Sequence, residues 1–327
     1  MNKFNEFVRK VVKKVFVFRL FSIALRAKKS SHKKYLKIDV SKVEINNYIK
    51  YYNRTPNLEN PKLFSEKILW QKLKYYNKDF TRLADKILVK DYVFERTGLE
   101  MYPKTIRTFS NYKEIDFNGL PDVFVLKTNH LSGYIYLAKK VNNKYTFKDL
   151  KYKDAPEYSE KQIKKIYKYL LKTNIYFYHF EWVYKDIKPM AFIEEFIETT
   201  NLIEYKLQMA DGKLGFINNV WGRMNTTFDN YYDENLEFMD IEWDSPSKKN
   251  VSLPAEINSL IGYAEKLSQG IPLARVDFYL VDDKIYVGEM TFFYSAGYLG
   301  FKKPNSLDEI IGKKLNIDRF LNIKKDL

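Results

Sequence analysis

The hydrophobic pattern of the chain changes character along its length. From about residue 41 to 100, apolar positions recur at helical spacing. Ser65 is predicted to cap a helix whose apolar face is Ile68, Leu69 and Leu73. Asp85 is predicted to cap the next, which buries Leu88, Val89, Tyr92 and Val93 and stops at Gly98. That helix would carry Lys86 and Lys90 on one face, since they are four apart. Beyond residue 120 the pattern becomes strand-like. Val123–Leu126 is a short apolar run ending in Lys127, and after the polar loop 128–133 the chain returns through Tyr134–Leu137. Ser159 and Gln162 form a capping box for a helix with Ile163, Ile166, Tyr167 and Leu170 inward. Met190–Ile193 is a buried strand leading into Glu194-Glu195. Glu204–Met209 and Leu214–Val220 flank the turn signal Asp211-Gly212. Pro254 to Gln269 reads as a helix closed by Gly270. The last unit is Arg275–Leu280, a three-residue turn Asp282-Asp283-Lys284, and Ile285–Phe292. The class is α+β with mostly antiparallel pairs, since the βαβ alternation of a dinucleotide fold is missing.

Composition narrows the chemistry. With 327 residues, 45% hydrophobic and 17% aromatic, the chain can bury a substantial core, in one to three subdomains. The absence of cysteine excludes disulfides, thiolate metal sites and a cysteine nucleophile, and it fits a cytoplasmic location. Three well-separated histidines (His32, His130, His179) argue against a histidine-built zinc site.

The net charge of +15 is concentrated at one end: residues 1–40 carry +10. The rest of the chain is close to neutral, which argues against nucleic acid as a partner. In that arm Phe4, Phe7, Val8, Val11, Val12 and Val15 form a helical stripe, with Lys3, Arg9, Lys10, Lys13 and Lys14 largely outside it. Arg19 interrupts the apolar run, which is too short to span a bilayer. Two readings stay open. One is an amphipathic helix on the anionic inner surface of the membrane; the other is a terminal helix that packs on the body and solvates its basic face.

The densest chemistry is Arg275-Val276-Asp277-Phe278-Tyr279 with Gly288-Glu289-Met290-Thr291. Strand alternation places Arg275, Asp277 and Tyr279 on one face, and Glu289 and Thr291 on one face of the return strand. Across a turn with an odd number of residues, Asp277 falls opposite Glu289. Two carboxylates so close repel, unless a cation lies between them or one takes up a proton. Mg²⁺ meets that need, because it favours one or two carboxylates plus phosphate oxygens. Arg275 beside them suits a transferring phosphoryl group. The alternative is an ordinary charged hairpin face.

Several stretches carry a family likeness: Ala84-Asp85-Lys86, the run from Leu120 to His130 that contains Lys127, the run from Glu181 to Pro189, and Glu204-Tyr205-Lys206. With the Arg-Val-Asp and Gly-Glu-Met-Thr strands, they resemble the TupA-like (teichuronopeptide-type) ATP-grasp family over about residues 60–315. The resemblance implies an ATP-grasp fold, in which two α+β subdomains grip ATP between antiparallel sheets. The expected layout is a basic arm (1–40), a helix-rich region (41–120), an ATP-grasp domain (121–315, in subdomains 121–195 and 196–315) and a tail (316–327). By the same resemblance Lys127, and Lys86 or Lys90, would contact ATP phosphates. Glu194 and Glu195 would lie beside adenine, and Glu204 would reach the ribose. Asp277, Glu289 and Thr291 would hold Mg²⁺, and Arg275, with Lys127, would act on the reacting carboxyl-phosphate.

The implied reaction is ligation of a carboxylate to an amine. The family's setting among surface-polysaccharide genes implies a uronic acid of a glycan or sugar-lipid intermediate as the carboxylate, and an amino acid as the amine. Two departures stand out: the loop Leu131-Ser132-Gly133-Tyr134 has one glycine where relatives have several, and Met190 replaces a frequent arginine. Two rivals remain. A metal-dependent glycosyltransferase would need an Asp-x-Asp motif, to which the nearest approach is Asp240-Ile241-Glu242. A non-catalytic scaffold would have kept the fold after its glycine loop decayed.

Overall fold

A computed structural model describes residues 16–30, 37–151, 156–198, 202–221, 227–243, 245–247, 252–281, 284–301 and 306–321. In chain order these form α1 (Phe16–Ser30), α2 (Val40–Tyr52), α3 (Phe64–Lys74), α4 (Asp79–Ala84), α5 (Val89–Thr97), β1 (Thr105–Phe109), β2 (Val123–Thr128), β3 (Tyr136–Val141), β4 (Lys144–Asp149) and β5 (Glu157–Ser159). There follow α6 (Glu160–Leu170), α7 (Tyr176–His179), β6 (Ala191–Glu195), β7 (Glu204–Ala210), β8 (Lys213–Trp221), β9 (Phe228–Asp233) and β10 (Phe238–Met239). The last elements are α8 (Ile257–Ser268), β11 (Ala274–Val281), β12 (Lys284–Thr291), α9 (Leu307–Lys314) and α10 (Asp318–Leu321). The predicted stripe from Phe4 to Val15 lies outside the described residues.

The chain forms two compact units. One comprises Met1–Lys37, Asp85–Ile87 and Pro103–Glu198; the other comprises Ile38–Ala84, Leu88–Tyr102 and Thr199–Leu327. Residues 41–120, expected as a helix-rich region, are thus divided between the two. The first unit is built on a sheet of order β1-β6-β2-β3-β4-β5, the second on a sheet of order β10-β9-β8-β7-β11-β12. The described ladders are antiparallel, as the hairpin-like units predict.

In the first unit α6 begins at the predicted capping box: Ser159 and Gln162 bond each other's backbone N–H groups, and Ile163, Ile166, Tyr167 and Leu170 are buried. Those side chains join Phe124, Leu126, Tyr136, Phe147 and Ile193 of the sheet in one core. In the second unit the Asp211-Gly212 turn takes φ of 50° and 76°, left-handed at both positions as a tight hairpin requires. Helix α8 packs against β7, β8 and β11 through Leu260, Ala264 and Leu267.

Two helix starts differ from expectation. Ser65 lies inside α3, buried, with its hydroxyl bonded to Asp308 at 2.6 Å and Tyr48 at 2.8 Å. The helix is opened instead by Glu66, whose carboxylate accepts from the backbone N–H groups of Asn57, Lys62 and Leu63. Asp85 does not cap α5 either, since that helix starts at Val89. Its carboxylate accepts from Ile87 N–H at 2.8 Å within a tight turn. Leu88 is consequently exposed, whereas Val89 and Val93 are buried and Gly98 ends the helix as predicted.

Candidate functional site

Polar groups gather on one face of the second unit's sheet, across β7, β11 and β12. Buried Tyr205, Leu207, Val276 and Phe278 alternate along β7 and β11 with Glu204, Lys206, Arg275 and Asp277. Asp277 stands opposite Glu289, as the spacing predicts. The register is reached differently from the prediction, however. Val281 pairs with Lys284, which leaves only residues 282 and 283 in the turn rather than three, and both lie outside the described residues. The odd residue is Gly288: Phe278 pairs with Val287 and Asp277 with Glu289, so Gly288 is a bulge. A Cβ there would meet the Asp277 carbonyl oxygen at 3.3 Å, a close approach that favours glycine.

Arg275 binds both acids. Its Nε and Nη2 donate to Asp277 Oδ1 at 2.6 Å and Oδ2 at 2.7 Å, and Nη2 also donates to Glu289 Oε1 at 3.1 Å. Burial by itself would lower the Arg275 pKa, but the Asp277 carboxylate and its hydrogen bonds raise it, so the guanidinium stays charged. The ring of Tyr294 lies 5.1 Å below the guanidinium, a cation–π contact. Thr291 Oγ1 is 3.2 Å from Glu289 Oε1.

Lys206 is a site residue to which the sequence reading gave no role. Its Nζ lies 3.5 Å from Glu204 Oε2 and 3.8 Å from Asp277 Oδ2. The signal was available: Lys206 is two residues from Glu204, and alternation sends both to one face. Cross-strand pairing continues the row from Glu289 through Asp277 and Lys206 to Asn218, and a second row runs from Thr291 through Arg275 to Gln208. Asn218 and Gln208 are buried, yet Asn218 Nδ2 and Gln208 Oε1 have no hydrogen-bond partner among the described residues. Buried polar atoms with unmet capacity suit a surface that receives a polar ligand.

The first unit carries the remaining candidates. Lys127 lies within β2 and forms an ion pair with Glu194 of β6. Glu194 is buried opposite Val125, so Lys127 meets it on the diagonal of the ladder. Glu195 ends β6, exposed, three residues before the chain leaves this unit.

The structure separates Lys86 from Lys90. Lys90 is on α5 in the second unit, 5.6 Å above the Tyr102 ring. Lys86 sits on the Asp85–Ile87 turn that belongs to the first unit, where its backbone N–H donates to the Asn129 carbonyl at 3.0 Å. They share no helix face, because the helix begins after Lys86.

Asn129 fastens that turn. Its Nδ2 donates to Asp85 Oδ2 at 2.7 Å and to the Lys188 carbonyl at 3.0 Å, and its Oδ1 accepts from Met190 N–H at 2.8 Å. His130 lies against it, its ring nitrogens 3.0 Å from Asn129 Oδ1 and 3.2 Å from the Leu170 carbonyl. Burial pulls the His130 pKa down to about 4, so the ring is neutral at pH 7 and serves as a structural tie. Asn129→Ala should therefore lower stability by about 2–3 kcal/mol, because it removes a hydrogen bond from the buried Asp85 carboxylate and from the Met190 backbone N–H together. Urea unfolding beside wild type measures this; a change within about 0.5 kcal/mol would show that Asn129 does not hold the turn.

The two antiparallel α+β units, one bearing a paired strand lysine and the other two carboxylates bridged by arginine, define the class of an ATP-grasp protein. Residues 66–316 match the TupA-like ATPgrasp family, and the chain belongs to it. Among curated proteins, none matches the sequence. D-alanine–D-alanine ligase from Helicobacter pylori is 16% identical over 72% of this chain and 61% of its own, with a TM-score of 0.39. The ATP-complexed D-alanine–D-alanine ligase from Bacillus anthracis is 15% identical over 64% and 54%, with a TM-score of 0.33. L-amino acid ligase from Bacillus licheniformis is 13% identical over 75% and 44%, with a TM-score of 0.31. The chain spans less than two thirds of the length of each.

Proposed function

We propose that the protein is an ATP- and Mg²⁺-dependent ligase that joins a carboxylate to an amine through an acyl-phosphate. The observation that carries this reading is the convergence of Asp277 and Glu289 oxygens on one cationic nitrogen, Arg275 Nη2, at 2.7 and 3.1 Å. Two carboxylates held that close around a positive charge form a donor set that Mg²⁺ also satisfies. Among the described residues no group of three or more Asp, Glu or His side chains could hold a metal ion by itself, so phosphate oxygens and water would have to complete its shell. Asp277 and Glu289 would hold the ion, with Thr291 beside Glu289; when bound, it supplies positive charge to the transferring phosphoryl group.

The remaining chemistry falls to the chain's own groups. A substrate carboxylate oxygen attacks the γ-phosphorus of ATP, the bond to the β-phosphate oxygen breaks, and ADP leaves. Lys127 and Lys86 would position the phosphates, and Lys206 would offset charge beside Asp277. Glu194 and Glu195 would lie beside adenine, and Glu204 would take the ribose. Arg275 would turn from the two carboxylates toward the acyl-phosphate, whose phosphoryl oxygens can likewise accept two hydrogen bonds from the guanidinium fork. An amine then attacks the acyl carbon, phosphate departs, and the amine gives up a proton.

By the resemblance of its motifs, the carboxylate would be a uronic acid of a bacterial surface polysaccharide, or of its sugar-lipid intermediate, and the amine an amino acid. The basic residues of 1–40 would keep the protein at the inner face of the membrane, where lipid-linked sugars are presented. ADP release should rise only when a uronic acid and an amino acid are supplied together with ATP and Mg²⁺. Turnover of a nucleotide-sugar with no ADP formed would replace this reading with glycosyl transfer.

A further inference from the structure

Helix α1 turns a mixed face inward and an apolar face outward. Arg19, Ile23, Ala27 and Ser30, three or four apart, are buried against the first unit, where Ile23 joins the core. Arg19 Nη2 donates to Asp149 Oδ2 at 2.9 Å in a buried pair, and its guanidinium lies 5.4 Å over the Tyr134 ring. Arg26 Nη1 donates to Tyr134 Oη at 3.0 Å, and Tyr178 Oη donates to the Arg26 carbonyl at 2.5 Å. The cluster Tyr176-Phe177-Tyr178 is only half-buried and forms part of this seat. On the other face Val17 is 68% exposed, Phe18 48%, Phe21 61% and Leu25 50%. Lys28 and Lys29 follow in the last turn.

In the described part of the arm, residues 16–30, the helix packs on the body and the face it leaves to water is apolar. We infer that this face, Val17, Phe18, Phe21 and Leu25, is the surface by which the protein docks on an anionic membrane. The inference rests on the peripheral location proposed above and names the residues that enter the lipid.

Single exposed apolar side chains are common, but four in a contiguous stripe mark an interaction surface. Charge complementarity selects the occupant, since the stripe lies within residues 1–40, which together carry +10. A second protein copy fits less well, because four side chains over two turns fall far short of the roughly 20–30 residues a side of a stable interface. The buried Arg19–Asp149 pair resists release of the helix, because separating it strands a charge. Docking therefore uses the outer face alone. Among the described residues no helix is long and apolar enough to cross a membrane, so α1 would lie in the interface.

The test is flotation of the full chain with phosphatidylcholine vesicles, with and without phosphatidylglycerol, at low and high salt. Wild type should float with the anionic vesicles and release as salt rises. Phe18→Ser with Phe21→Ser should weaken binding at least about tenfold, with the circular dichroism spectrum unchanged because both positions are exposed. Phe94→Ser, at an exposed position in the second unit, should bind as wild type. The inference is overturned if wild type fails to float, floats equally with neutral vesicles, or floats undiminished as the double variant. It is also overturned if light scattering shows a dimer that the double variant dissociates while neither form floats. ADP release by the double variant with soluble substrates should match wild type, which separates failure of docking from failure of the ligase reading.

Discussion

Glu289→Ala and Lys127→Ala should each lower ATP-dependent turnover by about 10²–10³, as loss of one preorganised charge-stabilising contact does at comparable sites. The two should fail in different ways. Lys127 lies on a strand that stays paired through backbone bonds, so its loss would remove the proposed phosphate contact together with its ion pair to Glu194. Glu289 is one of two carboxylates proposed to hold Mg²⁺, and Asp277 survives its removal. Raising Mg²⁺ should therefore recover part of the Glu289→Ala loss and little of the Lys127→Ala loss. Lys140→Ala is the control: that lysine is 3.6 Å from Asp122 at an exposed position and should change little. Initial rates of ADP release across a Mg²⁺ series measure all three. Equal rescue of both variants, or wild-type rates in either, would dismiss the assignment of roles.

Arg275→Met should be the most destabilising single change in the second unit's sheet. Arg275 supplies both hydrogen bonds that face Asp277 in bidentate fashion, and Asp277 is buried. Without it the nearest cation to that carboxylate among the described residues is Lys206, at 3.8 Å. Stranding one member of a buried ion pair typically costs about 3–5 kcal/mol, and turnover should fall in parallel because the acyl-phosphate loses its counter-charge. Arg275→Lys keeps the charge but not the fork, so it should recover part of the stability. A readout apart from activity is available. If the two carboxylates hold Mg²⁺, the ion without nucleotide should raise the melting temperature of Arg275→Met more than that of wild type, in which Arg275 competes for the same oxygens. An Arg275→Met protein as stable as the Lys140→Ala control would show that the bidentate pair contributes nothing.

Much of this arrangement is legible in the residues. Alternation alone sets Arg275 and Asp277 on one face, and it sets Glu204 and Lys206 together as well, although only Glu204 was given a role. The Ser159–Gln162 box and the Asp211-Gly212 turn are local devices whose partners lie within three residues, so their reading transfers directly to the structure. The readings that changed depend on partners far away in sequence. Ser65 resembles a helix cap, but Asp308, more than two hundred residues on, draws its hydroxyl inward. Asp85 resembles one too, until Asn129 takes its second oxygen. Lys86 and Lys90 share a helical spacing, yet the helix starts between them and the two fall in different units. Glycine at 288 offered a hint of irregularity within a strand, but the number of residues in the turn and the bulge are interchangeable in the spacing.

That interchangeability bears on how the gene can change length here without losing the site. Deleting codon 288 would leave Val287 followed by Glu289, and ordinary alternation would still set Glu289 opposite Asp277 with Val287 opposite Phe278. Adding one codon between 284 and 287, or converting the bulge into regular pairing with all residues kept, would turn Glu289 toward the buried side occupied by Val276. Among relatives of different length, a one-residue gap at the position of Gly288 is thus compatible with an intact pair of carboxylates, whereas a one-residue gain between Lys284 and Val287 is not, unless a second change of length restores the parity.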